Sequence, residues 1–185
     1  MIGKKEGVFM ASRLLIFDPQ AGWARRHVQV ASTFRLLADW LTRHDLWARV
    51  WITAFYNDEA SPFRQLMMGW TDFQSAQDWA LLEPYATRAA HVVRRNTYGL
   101  PEDFWQKTRL SDIDRIVLAG VETDASVCKT AMDAFDRGIG VDVVPSWTAS
   151  AYGPSGQAHG LAVLRKVLGS RHLVTEEEAL KILAG

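Results

Sequence analysis

Three residues able to move protons, carry charge or attack a bond stand at or just beyond the ends of apolar, strand-like runs in this sequence. Asp18 follows RLLIF (13–17), Arg95 ends AAHVVRR (89–95), and Ser126 lies shortly past RIVLAG (115–120). The turn GVETDAS (120–126) joins that last run to a helix-like segment. Thr123 or Asp124 is expected to cap this helix. The first-turn amides of Ala125 and Ser126 and the positive end of the helix dipole would then lie beside the residue 126 side chain. Such a turn can hold an oxyanion. A cysteine placed there would have a lowered pKa and become a thiolate nucleophile. Position 126, however, is a serine.

Elements of regular structure must bring these three residues together. RLLIF is bounded by Asp18-Pro19, and VWITAF (50–55), AAHVV (89–93), RIVLAG (115–120) and VDVVP (141–145) are similar short apolar runs. Each suits a buried strand. Between them the apolar residues Val30, Phe34, Leu37, Ala38 and Leu41 recur at helical spacing. Further helices are expected over 101–110, opened by Pro101, over 125–137, closed by Gly138, and over 154–168. Thr175 followed by Glu176-Glu177-Glu178 has the form of another helix start. Strands alternating with helices, and too continuously apolar to have a wet face, predict a three-layer αβα fold of the α/β class with a mostly parallel central sheet. In such sheets ligands bind beyond the carboxyl ends of the strands, which is where Asp18, Arg95 and Ser126 fall.

Length and charge narrow the functions this fold could serve. The 185 residues suit a single domain over 1–185. Basic and acidic residues are equal at 21 each, so no net positive field gathers nucleic acid or anionic lipid, and neither is expected as a partner. One cysteine, Cys128, excludes an intramolecular disulfide framework. The Gly3-Lys4-Lys5 stretch leads into an apolar run that Arg13 interrupts, unlike a signal peptide, and a cytoplasmic protein is expected. Five scattered histidines lack ligand spacing, so neither a metal nor another cofactor is expected.

The segments LLIFDPQ (14–20), VVRRNTYG (92–99) and GVETDASVCKTAMDAFDRG (120–138) together resemble the isochorismatase-like cysteine hydrolases, which include isochorismatases and nicotinamidase-type amidases. FYNDEASPFRQLMMGW (55–70) and SWTASAYGPSGQAHGLAVL (146–164) extend the resemblance over nearly the whole chain. It implies a hydrolase acting on a small amide or related compound, with an aspartate exchanging protons, a lysine polarising the site and a cysteine attacking. Asp18 matches the aspartate, but Arg95 stands at the lysine position and Ser126 at the cysteine position. The resemblance also places Trp23, Tyr98, Val121 and Glu122 at the substrate pocket and implies a homo-oligomer, a dimer or tetramer. Some relatives bind a metal through histidines after the second strand, and the stretch Phe55 to Glu59 has none.

Two changes of different character in one triad have the look of natural divergence. Serine is a far weaker acid than a thiol, and a carboxylate is a poor base for an alcohol. Arginine keeps the positive charge but not the reach of lysine, and its planar fork suits a carboxylate ligand. Cys128 stands two residues further along the helix, about 200° around its axis, and is expected to pack in the core. Three readings follow: a weak amidase using Ser126, a non-covalent vinyl-ether hydrolase with Asp18 as acid and Arg95 gripping a carboxylate, or a degenerate relative that binds without turnover.

Overall fold

The computed structural model describes residues 11–67 and 70–185. The Gly3 to Lys5 stretch and Met68-Gly69, both used in the sequence reading, lie outside the described residues. Five strands, β1 (Ala11–Phe17), β2 (Val50–Phe55), β3 (His91–Arg95), β4 (Ile113–Val121) and β5 (Gly140–Ala149), form one sheet in the order β3-β2-β1-β4-β5. All four pairings are parallel. The helices are α1 (Ala21–Arg26), α2 (Val28–Arg43), α3 (Pro62–Leu66), α4 (Ala76–Trp79), α5 (Tyr85–Arg88), α6 (Glu102–Leu110), α7 (Cys128–Asp136), α8 (Gly153–Leu168) and α9 (Glu176–Ala184).

Strand periodicity explains why β1 is apolar without interruption. Alternate side chains leave opposite faces of a sheet, and both faces here are covered. Leu14 and Ile16 pack with Val30, Phe34 and Leu37 of α2 and Leu183 of α9, while Leu15 and Phe17 pack with Phe104 of α6, Ala131 of α7 and Leu164 of α8. The result is a three-layer αβα sandwich. Chain order runs from β1 outward through β2 to β3, then returns to β4 on the other side of β1. The switch point therefore lies between the carboxyl ends of β1 and β4, the crevice where open parallel sheets bind ligands.

Departures from the sequence expectation have local causes. β5 runs on past Val144-Pro145 to Ala149 because its register with β4 shifts between Leu118 and Gly120, and a proline fits a strand at such an irregularity. β3 begins at His91 and not at Ala89, and extends through the charged pair Arg94-Arg95; as an edge strand it exposes Val92 and Arg94 while burying Val93 and Arg95. The helix expected over 125–137 is divided. Glu122 carbonyl accepts from both the Ala125 and Val127 amides, giving a wide π-type turn over Thr123–Val127 before α7 starts at Cys128. Thr123 and Asp124 do not cap it: the Thr123 hydroxyl instead donates to Gln157 Oε1 at 2.5 Å. Pro101 is the cap residue of α6 and not its first turn. The short helices α1, α3, α4 and α5 carry too few turns to leave a periodic trace. Thr175 does open α9, through a reciprocal capping box with Glu178.

Gly120 fixes how closely β4 approaches β1 at the crevice. Its φ is +95°, and a β-carbon there would lie 2.3 Å from the Phe17 carbonyl oxygen and 2.4 Å from the Phe17 nitrogen. Both the backbone region and the contact demand glycine. Gly120→Ala is expected to lower the unfolding free energy by at least about 2 kcal/mol, or to prevent folding, as read by urea denaturation. A stability within about 0.5 kcal/mol of the parent would show that the close approach is not required.

Candidate active site

Asp18 terminates β1 with φ +50°, a left-handed conformation that aspartate tolerates. Its neighbour Gln20 clamps this strand end to β2 and α4: its amide donates to the Phe55 and Trp79 carbonyls, both at 3.0 Å, and its oxygen accepts from the Phe55 amide at 2.8 Å. The Asp18 carboxylate has no solvent exposure. Thr53 of β2 donates to its Oδ1 at 2.5 Å, Arg95 Nε donates to Oδ1 at 3.2 Å, and Arg95 Nη2 donates to Oδ2. The remaining terminal nitrogen, Nη1, is held by the Thr97 carbonyl. The guanidinium carbon also lies 5.1 Å from the Phe55 ring centre and 5.6 Å from that of Phe17. A bidentate pair of this kind occupies both carboxylate oxygens and leaves Arg95 little capacity to grip another anion.

The GVETDAS turn forms the opposite wall. α8 packs directly on it, since a β-carbon at Gly160 would fall 2.7 Å from the Asp124 nitrogen and 2.8 Å from the Thr123 carbonyl carbon. Ser126 is buried to 4% exposure yet lines a cavity of about 440 Å³. Of the two backbone donors expected to hold an oxyanion, the Ala125 amide is engaged by the Glu122 carbonyl at 3.2 Å. Cys128 is buried among the residues packed on α6, α7 and α8, its Sγ donating to the Gly160 carbonyl at 3.5 Å. Burial, then the Asp124 carboxylate, pushes its thiol up to about 11.

The cavity holds Arg95, Ser126, Trp23, Tyr98 and Glu122 together, but not every residue expected. Asp18 lies behind Arg95 and is not part of the lining, and Val121 is fully buried in the core between the sheet and α2. Val121 is displaced because it is the last residue of β4 and its side chain falls on the helix-covered face. The sequence reading missed Arg26, His27, Phe63, Trp70, Asp72, Phe73 and Tyr152, which also line the cavity, as does Asp124 of the GVETDAS turn, expected there only as a cap. The missed residues come from α1 and its C-terminal end, from segments after β2, and from the residues just before α8, none of which carries a pattern tying it to a site. Arg26 is itself paired, with Asp78 at 2.7 Å and Asp72 at 3.2 Å.

Glu122 is the lining carboxyl whose titration is most altered. Its pKa is pushed up to about 7, first by burial and then by the Asp124 carboxylate, with Asp18 adding and the Ala151 amide and Arg95 opposing. Burial, with Glu122 and Tyr152 adding, also raises the neighbouring Tyr98 hydroxyl. Among the described residues no three histidine, cysteine, aspartate or glutamate side chains converge in a way that could hold a metal. No described helix is long and apolar enough to cross a membrane.

Residues 12–175 match the isochorismatase domain. The chain belongs to the isochorismatase domain family. No curated protein matches this isochorismatase-domain chain. Solved structures do. A cysteine hydrolase from Pseudomonas syringae pv. phaseolicola 1448A superposes with TM-score 0.74 at 15% identity, covering 100% of this chain and 99% of the other. A pyrazinamidase/nicotinamidase from Streptococcus mutans UA159 gives 0.72 at 21% identity, covering 85% and 97%. A pyrazinamidase of Pyrococcus horikoshii, solved in complex with zinc, gives 0.72 at 17% identity, covering 89% and 99%. At these identities the likeness establishes the shared fold.

Two outcomes follow from the electrostatics of this isochorismatase-domain site. Arg95→Leu would leave the Asp18 carboxylate buried without its counter-ion, and a loss of roughly 3–5 kcal/mol in urea denaturation is expected; a loss under about 1 kcal/mol would mean the pair is not structural. Glu122 holds its proton in the folded chain up to about pH 7, whereas its ordinary value is 4.5. The native state therefore binds the extra proton in that window, so this contribution to stability is present below about 4.5 and is lost as pH rises through about 7. Glu122→Gln should remove that loss. Its stability relative to the parent should rise by on the order of 3 kcal/mol between about pH 4.5 and about pH 8, at about 1.4 kcal/mol per unit. Parallel stability profiles for the two proteins would rule this out.

Proposed function

We propose that this isochorismatase-domain protein binds a small organic molecule in the cavity beside Ser126 and releases it without covalent turnover. The observation that carries this reading is the saturation of Asp18. Its carboxylate accepts from Thr53 and twice from Arg95, has no exposure and does not reach the cavity lining. Among the described residues the Ser126 hydroxyl is hydrogen-bonded to no base, Asp18 being committed to Thr53 and Arg95, and an alcohol needs one to attack an amide near neutral pH. Cys128 does not replace it, since its thiol is raised to about 11 and its Sγ is directed to the Gly160 carbonyl. The names of the structural neighbours, nicotinamidase and pyrazinamidase, suit flat heteroaromatic ligands, a class that an aromatic cavity of about 440 Å³ accommodates.

One observation favours a second reading. Glu122 faces the cavity and remains protonated to about pH 7, so it, in place of the enclosed Asp18, could protonate a vinyl ether. The test assays the parent, Ser126→Ala, Ser126→Cys, Arg95→Lys, the Arg95→Lys/Ser126→Cys double variant and Glu122→Gln against heteroaromatic amides and isochorismate. The binding reading expects no turnover by the parent, and amide hydrolysis, if gained at all, only in the double variant. Amide turnover by the parent that is lost in Ser126→Ala would overturn it. Isochorismate cleavage by the parent, lost in Glu122→Gln, would establish the second reading.

A further inference from the structure

We propose that the ligand is a small organic cation, an aromatic or methylated ammonium compound, held between the carboxylates of Glu122 and Asp124 and an aromatic wall that includes Trp23, Phe63, Trp70 and Tyr98. This rests on the reading that the cavity binds without turnover.

The first argument is the disposition of charge. Both arginines that line the cavity are already neutralised: Arg95 by Asp18, with its remaining terminal nitrogen on the Thr97 carbonyl, and Arg26 by Asp78 and Asp72, with a further bond to the Gly22 carbonyl. Glu122 and Asp124 have no such counter-ion among the described residues. Asp124 Oδ1 is buried without any hydrogen-bond partner there, and the guanidinium whose charge acts on Glu122, that of Arg95, is committed to Asp18. A half-buried carboxylate left in this state is costly, and a cation arriving beside it relieves that cost. Above the Glu122 transition an anionic ligand would meet two carboxylates that have no ion-pair partner among the described residues.

The second argument is the wall. The aromatic rings form a connected band: Trp23 lies tilted against Phe73 with centres 4.5 Å apart, Phe73 lies 5.8 Å from Phe55, Phe55 lies 5.1 Å from Phe63, and Phe63 lies 5.3 Å from Trp70 and 4.6 Å from Tyr98. Aromatic rings attract cations through their quadrupole, and an aromatic cage with one or two carboxylates is a chemistry suited to quaternary or protonated amines. An anion is repelled by the same ring faces.

Phenyltrimethylammonium, its uncharged isostere tert-butylbenzene, and benzoate distinguish the alternatives when titrated at pH 8, above the Glu122 transition, by isothermal calorimetry against the full chain. The cation is expected to bind at least about tenfold more tightly than the isostere, with benzoate weaker than both. In the Glu122→Gln/Asp124→Asn variant the cation should lose at least about tenfold while the isostere changes by less than about twofold, which also shows that the variant keeps its cavity. Tighter binding of benzoate, or equal binding of cation and isostere, overturns the cation assignment and leaves binding without turnover standing. Failure of all three probes to bind overturns both. Hydrolysis in the amide assays described above defeats the binding reading by a separate measurement.

Discussion

An aspartate with no access to water must find its counter-charge inside the protein, and Asp18 finds it on a different strand. The bidentate contact with Arg95 spans from the end of β1, across β2, to the end of edge strand β3, and Thr53 of the intervening strand closes the third bond. Three of the five strand ends are thereby tied in one polar cluster. Gln20 adds a second tie one turn later, between the same end of β1, Phe55 of β2 and Trp79 of α4. Desolvated ion pairs stabilise only when their remaining donors and acceptors are satisfied, and here the last terminal nitrogen of Arg95 is taken by Thr97. The crevice inherits its shape from this cluster, in which the Asp18 carboxylate is turned to Thr53 and Arg95.

On the other side of the crevice the controlling feature is proximity. The π-type turn over Thr123–Val127 is compressed between β4, which approaches β1 through Gly120, and α8, which approaches through Gly160. Both contacts work because a side chain is missing. The turn presents Ser126, Glu122 and Asp124 to one cavity. The Ala125 amide is meanwhile held by the Glu122 carbonyl. The isochorismatase-domain fold is thus kept, while this turn lines the cavity with carboxyl and hydroxyl groups facing aromatic rings.

Much of the frame was legible in the sequence because it follows from periodicity. RLLIF and VWITAF show buried strands by unbroken apolar character, and the spacing of Val30, Phe34, Leu37 and Leu41 shows α2 by its single buried face. The places of Asp18, Arg95 and Ser126 at strand and turn ends follow from the same logic. What the sequence did not reveal is relational. That Arg95 would use its fork on Asp18, and not on a ligand, depends on a distance across two strand pairings. Val121 was read as a pocket residue but sits in the core, because one step along a strand reverses the face. The aromatic wall escaped notice because Phe63, Trp70 and Phe73 lie on short or irregular segments, where neither spacing nor alternation marks a shared surface.

The Asp18–Arg95 pair also sets how unevenly the two walls of the crevice answer to substitution. A change at Arg95 breaks the contacts to both Asp18 oxygens and to the Thr97 carbonyl together, and so loosens the ends of β1 and β3 at once. A change at Ser126 touches none of these bonds. One wall of the cavity is therefore mechanically coupled to the sheet, while the other can vary in its chemistry with the frame left standing.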